Sequence, residues 1–416
     1  MANWKYRKTV LILMFIAWMI CYLDRMIMSV SIPFIAKDFG LSPVSMGVVM
    51  SAFLLGYALL QIPGGVLADK FGASKVIVTA LILWSLFTGL TGIATSLTML
   101  LVIRVLFGVG EGLFPGPYYK IIATWFPMKE RATANGIAYS SQPFGIAVAS
   151  VVGASLIVLY GWRTLYFILA VPGILIALAL WFYVADTPEK SKYLSKEELK
   201  DFEDGASGDN GNQSKASYAS IMRVPIVWQL SVVFFFFLIA NWGYIAWLPS
   251  YLIKQRGFTT MGMGIATALP FLAAAAGMAV GGFISDKFFP GKRKTYFCTS
   301  MLLSAVFCYV ATGAETANVC VIFLTASGFF LATGMAAFWA IPMNTIPKEV
   351  MGLASSIISF FGMVGGFLAP IAIGYFIQAS GGNYNYALGT IIFALVVTVP
   401  AMLAVNTGGK LKNKNP

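Results

Sequence analysis

Gly64-Gly65-Val66-Leu67-Ala68-Asp69-Lys70 returns 217 residues later as Gly281-Gly282-Phe283-Ile284-Ser285-Asp286-Lys287. Lys129-Glu130 likewise returns as Lys348-Glu349, at an offset of 219. Two matches at nearly one spacing mark an internal duplication, and each copy closes a long apolar run with a short charged stretch. Around them, apolar runs alternate with charged or Gly/Pro breaks along all 416 residues. They predict an all-α membrane protein with twelve transmembrane helices, at about 10–35, 44–67, 75–94, 97–119, 133–159, 164–184, 226–252, 262–284, 296–314, 318–341, 352–378 and 385–405. The expected organisation is an N-terminal six-helix bundle (1–185), a cytoplasmic linker (186–224) and a C-terminal six-helix bundle (225–416). Within the linker, residues 196–200 read as a short amphipathic helix and 205–217, rich in Gly, Ser and Asn, as flexible chain.

Composition supports that reading. Hydrophobic residues make up 59% and charged residues 11% of the chain, and mean hydropathy is +0.81. The net charge of +12 raises nucleic acid as a partner, but the placement of the charge argues against it. With an even number of spans both termini share one side, and 22 Lys/Arg fall on that side against 4 opposite. Short basic loops stay inside, so the termini and linker are expected in the cytoplasm. The first run follows Lys5, Arg7 and Lys8 but extends well past a signal-peptide core and contains Asp24 and Arg25, so it reads as a retained span. Without histidine, His-based catalysis and zinc sites are excluded, and no metal is expected. The four cysteines show no metal-like spacing and read as free buried thiols.

Four charges remain at bilayer depth: Asp24 and Arg25 in the first span, Arg104 and Glu111 in the fourth. A charge there costs a few kcal/mol, so it faces a partner or a polar cavity. At a rise of about 1.5 Å per residue, Asp24 and Arg104 reach similar heights, and Glu111 lies about 10 Å deeper than Arg104 on the same helix face. Arg25 points about 100° away from Asp24. Two contacts are therefore expected, Asp24 with Arg104 and Arg25 with Glu111. Arginine keeps its charge and offers a planar fork to a carboxylate, which makes Arg25 the candidate anion ligand. Asp24 and Glu111 are the candidate protonation sites, with Arg104 tuning Asp24. While ionised, Glu111 would occupy Arg25; once protonated, it would release Arg25 to a substrate. The alternative is two permanent ion pairs joining the first span to the fourth.

Here the chain resembles a known family. Gly65-Val66-Leu67-Ala68-Asp69-Lys70-Phe71-Gly72 followed by Lys75 resembles the loop signature of the major facilitator superfamily. Cys21-Tyr22-Leu23-Asp24-Arg25, with Arg104 and Glu111, resembles its anion:cation symporters, which include bacterial carriers of galactonate, glucarate and hexuronates and the animal sialic-acid and vesicular-glutamate carriers. The resemblance implies two six-helix bundles, alternating access around a midplane site, proton-coupled import of an acidic sugar, and the same roles for the four charges. It raises Tyr22, Tyr57, Gln142 and Trp339 as substrate contacts. The outside loop at about 36–43 is short, as in bacterial members, which implies a bacterial cell membrane. Where galactonate-type carriers present an asparagine in span eleven, this chain has Ser359, a departure that puts galactonate itself in doubt.

The second half carries no charge at depth, so its contribution must be neutral: Asn241, Trp242, Tyr244 and Trp247 in span seven, Trp339 and Asn344 near the end of span ten, and Ser359. Aromatic faces and amide or hydroxyl groups suit a sugar, although membrane bundles also use aromatics routinely. Asp69 and Asp286 end spans two and eight near Arg131 and Lys292-Arg293-Lys294, and read as cytoplasmic gating latches. Glycines 108, 110, 112, 362, 365 and 366 read as packing positions. The expected partners are a small organic anion and the lipid bilayer. No cofactor beyond the proton and no enzymatic activity are expected, and the chain should be monomeric. Within transport, a uniporter or anion exchanger stays open; a non-transporting nutrient receptor is the reading from another class.

Overall fold

Lipid offers no hydrogen-bond partner to a peptide group, so a chain this apolar must satisfy its backbone internally. The computed structural model describes residues 6–194, 224–289, 291–346 and 348–406. The segments expected as amphipathic helix (196–200) and flexible chain (205–217) lie outside the described residues. Within them the regular structure is helical throughout, with no strand. The helices are α1 (Tyr6–Phe39), α2 (Pro43–Phe71), α3 (Ala73–Thr91), α4 (Leu97–Gly112), α5 (Pro115–Trp125), α6 (Met128–Tyr139) and α7 (Ser141–Tyr183). After the linker come α8 (Pro225–Lys254), α9 (Thr260–Phe288), α10 (Arg293–Thr312), α11 (Ala317–Phe338), α12 (Ala340–Thr345), α13 (Lys348–Ala379) and α14 (Asn385–Leu403). They group into two compact units, residues 6–41 with 49–194, and residues 42–48 with 224–406.

Eleven apolar stretches among the described residues are long enough to cross a membrane. One of them, Thr133–Tyr183, has 51 residues. At about 1.5 Å per residue it would be more than twice the length a bilayer core needs. Gly161, at φ 80° and ψ 165°, breaks it into two spans. That backbone conformation is open to glycine and strained for other residues. The expected fifth and sixth spans are thus one helical run folded at a single glycine. Large apolar side chains flank this bend in the open, Val158 at 59% and Leu159 at 67% exposure, as a lipid-facing surface requires.

Three spans, the fifth among them, are interrupted. Pro115 has no N–H to give, and the fourth span breaks between α4 and α5 at Leu113-Phe114. The fifth span breaks at Ser140, just before Gln142-Pro143, and the tenth at Trp339. Glu111, Gln142 and Trp339 therefore each lie within two residues of a break, where a membrane helix departs from regular packing.

The first unit is tightened by backbone-to-backbone packing of α2 on α4. A side chain at Gly56 would run into the Val105 carbonyl, one at Gly108 into the Phe53 carbonyl, and one at Gly112 into the Tyr57 carbonyl. Gly110 faces Trp84 of α3 instead. The second unit uses the corresponding helices similarly: Gly277 meets Phe329, and Gly281 meets Thr333, between α9 and α11. In α13, Gly362 lies on Phe234, Gly365 on Phe235 and Gly366 on Trp242 of α8. Small residues let membrane helices approach closely where no hydrophobic force separates helix from lipid.

This packing predicts opposite outcomes for two glycines of one helix. Gly56→Ala should destabilise the protein by about 1–3 kcal/mol through overpacking. Gly65→Ala, which has open space around it, should be neutral or slightly stabilising. Thermal unfolding of both purified variants checks the contrast.

Candidate functional site

Helix α1 carries Cys21 and Arg25 one turn apart, so both side chains reach the same neighbour. That neighbour is Glu111, held at the end of α4 by the glycine contacts with α2. Arg25 Nε donates to Glu111 Oε2 at 2.7 Å, and Cys21 Sγ donates to Glu111 Oε1 at 3.4 Å. Both carboxylate oxygens are thus held. The ion pair is sealed, with side-chain exposure of 5% for Arg25 and 0% for Glu111. The contact anticipated from helical spacing forms, and Cys21, read as an inert thiol, is its third member.

Aromatic rings bracket the guanidinium. Its carbon lies 4.8 Å from the ring centre of Tyr22, 4.9 Å from Tyr57 and 5.6 Å from Phe53. Ring faces attract a cation without consuming its N–H donors. Arg25 Nη2 is buried with no hydrogen-bond partner among the described residues. The group is neutralised along one edge by Glu111 and retains donor capacity on another. Tyr22 and Tyr57, named above as candidate substrate contacts, lie beside Arg25, and Phe53, one turn before Tyr57, joins them without having been among the candidates.

The second expected pair does not form. Arg104 Nη2 donates to Thr91 Oγ1 of α3 at 3.2 Å, and its guanidinium carbon lies 4.3 Å from the Phe107 ring on its own helix. Those two contacts draw it along α4, and no Asp24–Arg104 salt bridge is present among the described residues. Both Asp24 oxygens are buried and have no partner within hydrogen-bond distance among the described residues, with the Trp84 indole of α3 the donor directed at them. Arg104 and Glu111 remain the charged groups that act on Asp24 through space.

The other candidates are dispersed. Gln142 sits at the start of α7, near Gly145, which packs on Met19 and Leu23 of α1, and its Nε2 is buried without a partner. In the second unit, Trp339 stands edge-on to Phe234 at 5.2 Å and to Phe338 at 5.4 Å. Trp242 is buried against Gly366, while Asn241 and Ser359 are partly exposed. Tyr244 donates its hydroxyl to the Leu324 carbonyl at 2.7 Å, and Trp247 its indole N–H to the Pro370 carbonyl at 3.1 Å. Asn344 donates to the Ala340 carbonyl at 2.6 Å. These three bonds tie the side chains to backbone and give them a packing role.

The gating residues require one correction. Asp69 pairs with Lys120 of α5 at 2.7 Å rather than with Arg131. Arg131 instead folds back to the Phe126 carbonyl at 3.0 Å, close to the end of α5. Asp286 pairs with Arg293, inside the anticipated basic cluster, at 2.7 Å. Both aspartates are well exposed, and each pair lies within a single unit.

Comparison with known proteins matches these features to one family. A sequence model of the Major Facilitator Superfamily matches residues 14–370 and 264–416. The chain is 29% identical to the hexuronate transporter of Bacillus subtilis, over 95% of this chain and 94% of that protein. It is 32% identical to the probable galactarate/D-glucarate transporter GarP of Escherichia coli K12, over 92% and 90%. To the probable sulfoacetate transporter SauU of Cupriavidus necator it is 31% identical, over 96% and 94%. Among solved structures, a bacterial homologue of the lysosomal transporter Spinster superposes with a TM-score of 0.79 at 21% identity, covering 97% of this chain and 96% of that one. The D-xylose–proton symporter superposes at 0.78 with 15% identity, covering 99% and 100%. These two similarities establish the fold.

A sealed ion pair behaves asymmetrically when cut. Arg25→Ala or Glu111→Ala alone should destabilise the protein by about 3–5 kcal/mol, whereas an apolar pair at both positions should come close to wild type. Removing the exposed Asp69–Lys120 pair should change stability by about 0–1 kcal/mol. Thermal unfolding of the four variants tests the difference.

Proposed function

The chain belongs to the Major Facilitator Superfamily, and on that footing we propose that it imports an organic anion together with protons, the anion being an acidic sugar: a hexonate, hexarate or hexuronate. The observation that carries this reading is the Arg25–Glu111 pair inside its aromatic bracket. Relatives named as transporters of hexuronate, galactarate/D-glucarate and D-galactonate support the substrate class.

Coupling follows from competition for one cation. Ionised Glu111 holds Arg25 Nε and keeps the guanidinium neutralised. Protonated Glu111 loses its charge, and Arg25 then needs another anion. A substrate carboxylate supplies it, bound through the guanidinium fork, while Tyr22 and Tyr57 pack on the sugar and offer hydroxyls. Release of both restores the internal pair. Arg104 and Asp24 form the second protonation site. Gln142 is a neutral contact in the first unit, and Asn241, Trp242, Trp339 and Ser359 are the neutral groups the second unit offers a substrate. Asp69, Arg131 and Asp286 take part in gating during alternating access. The substrate leaves chemically unchanged, with no cofactor other than the proton.

The 22-to-4 distribution of basic residues supports cytoplasmic termini, and the three-residue turn between Phe39 and Pro43 supports a bacterial cell membrane. A complete charge set within one chain supports a monomer. A second reading draws on the SauU relative: a guanidinium grips a sulfonate as readily as a carboxylate, so a smaller organic anion would use the same Arg25.

Purified protein should be stabilised against heat by an acidic sugar and not by its uncharged parent. A ligand at about 100 times its dissociation constant adds roughly 2.7 kcal/mol. Net uptake should rise as the outside is acidified, whereas counterflow should be far less sensitive to pH. Uptake indifferent to pH would instead identify a uniporter or exchanger. Arg25→Lys keeps the charge but loses the fork and should weaken binding by at least about tenfold; affinity near wild type would remove Arg25 as the ligand.

A further inference from the structure

Buried hydroxyls crowd one face of α3. Trp84, Thr88 and Thr91 are spaced one turn apart, with Ser85 beside them, and all four side chains are at most 1% exposed. Helices α1 and α3 run in the same direction, because Tyr6 at the start of α1 donates to the Tyr183 carbonyl and Ser74 at the start of α3 donates to the Val184 carbonyl. Near the middle, Gly173 of α7 faces both Ser85 Oγ and Ile20 of α1. One turn further along each helix brings Thr88 level with Asp24. Another turn along α3 brings Thr91, which holds Arg104 at 3.2 Å.

Six buried polar atoms in this region have no hydrogen-bond partner: both oxygens of Asp24, Trp84 Nε1, Ser85 Oγ, Thr88 Oγ1 and Arg104 Nε. Each buried orphan costs about 1–3 kcal/mol, so six in one region cannot persist unsatisfied. None of the six meets another in normal hydrogen-bond geometry, although the Trp84 indole is directed at Asp24 as a donor, and water is the molecule small enough to bridge them. The set is rich in donors, with an indole N–H, a guanidinium and two hydroxyls around one carboxylate. The Arg104 guanidinium opposes a metal cation beside it, and the donors suit hydrogen-bonded water around an anion.

We infer that the α3 face of Trp84, Ser85, Thr88 and Thr91 forms with Asp24 and Arg104 a buried hydrated chamber, in which water carries the hydrogen bonds of Asp24. Ser85 and Thr88 are then positioning residues that set how Asp24 holds its proton. The inference rests on the proposed protonation of Asp24 but not on the identity of the substrate. The charged or titratable groups acting on Asp24 are Arg104 and Glu111 from α4, Tyr166 from α7, and Cys21 from its own helix, with Arg25 turned away toward Glu111. Tyr166 is already bonded to Ser31 at 2.7 Å. From α3 the Trp84 indole acts on Asp24, and neither Ser85 nor Thr88 carries a charge, so substitutions at the two hydroxyls leave the charged neighbours of Asp24 in place.

The test is infrared difference spectroscopy of the purified full-length protein during a pH titration without substrate. The Asp24 carboxylic-acid band is assigned by its loss in Asp24→Asn. Thr88→Val and Ser85→Ala should each move the midpoint of that band by about one pH unit, a tenfold change in proton affinity, and Thr88→Ser should restore it. Thermal unfolding establishes that each variant is folded. A midpoint in Thr88→Val equal to wild type would overturn the chamber, as would a wild-type protein with no titrating Asp24 band. A protein that shows the shifts yet carries no acidic sugar would keep the chamber and lose the proposed substrate.

Discussion

A guanidinium at bilayer depth has to be neutralised at every moment, and that constraint organises the first unit of this protein. Arg25 cannot lose its proton, so its partner must change instead. Glu111 is placed to be that partner by the glycine-mediated contact of α2 with α4 and by the break before Pro115. Cys21 holds the other carboxylate oxygen, and three aromatic rings take up the remaining faces of the cation. A carboxylate in such a setting can be exchanged for another anion only when it loses its own charge. The proposed coupling then needs no extra device, because Glu111 and the substrate carboxylate satisfy the same cation by turns and the proton decides which.

Much of this was legible in the residues themselves. The duplicated Gly-Gly/Asp-Lys stretches and the apolar runs specify the helical membrane fold, because spans in lipid must be long and uniformly apolar. The spacing of seven between Arg104 and Glu111 locates Glu111 deep on a known face, which is enough to bring it to Arg25. Sequence spacing does not show which way a long side chain turns once it has a choice of neighbours. Arg104 turns toward Thr91 and Phe107, and Arg131 toward the Phe126 carbonyl, instead of toward the anticipated carboxylates.

The α3 hydroxyls were invisible for a different reason. Serine and threonine in a membrane helix commonly bond back to their own backbone, as Thr79 does to Lys75, so their presence carries no signal alone. Only the depth of burial and the missing partners distinguish Ser85 and Thr88. Cys21 could have been found: it lies one turn before Arg25, and that spacing implies a shared neighbour. The bend at Gly161 shows the converse, since a single residue of permitted positive φ does the work expected of a loop.

The two units divide the chemistry unequally. Among the described residues the buried charges lie in the first, while the second carries buried aromatic groups, two of them tied to backbone carbonyls. The most direct measurement is the dissociation constant of an acidic sugar as a function of pH, for wild type and for Glu111→Gln. If the proton acts by releasing Arg25, wild-type affinity rises on acidification, and the variant binds at neutral pH as tightly as wild type does in acid. A variant that keeps the wild-type pH dependence would contradict the exchange of Glu111 for substrate.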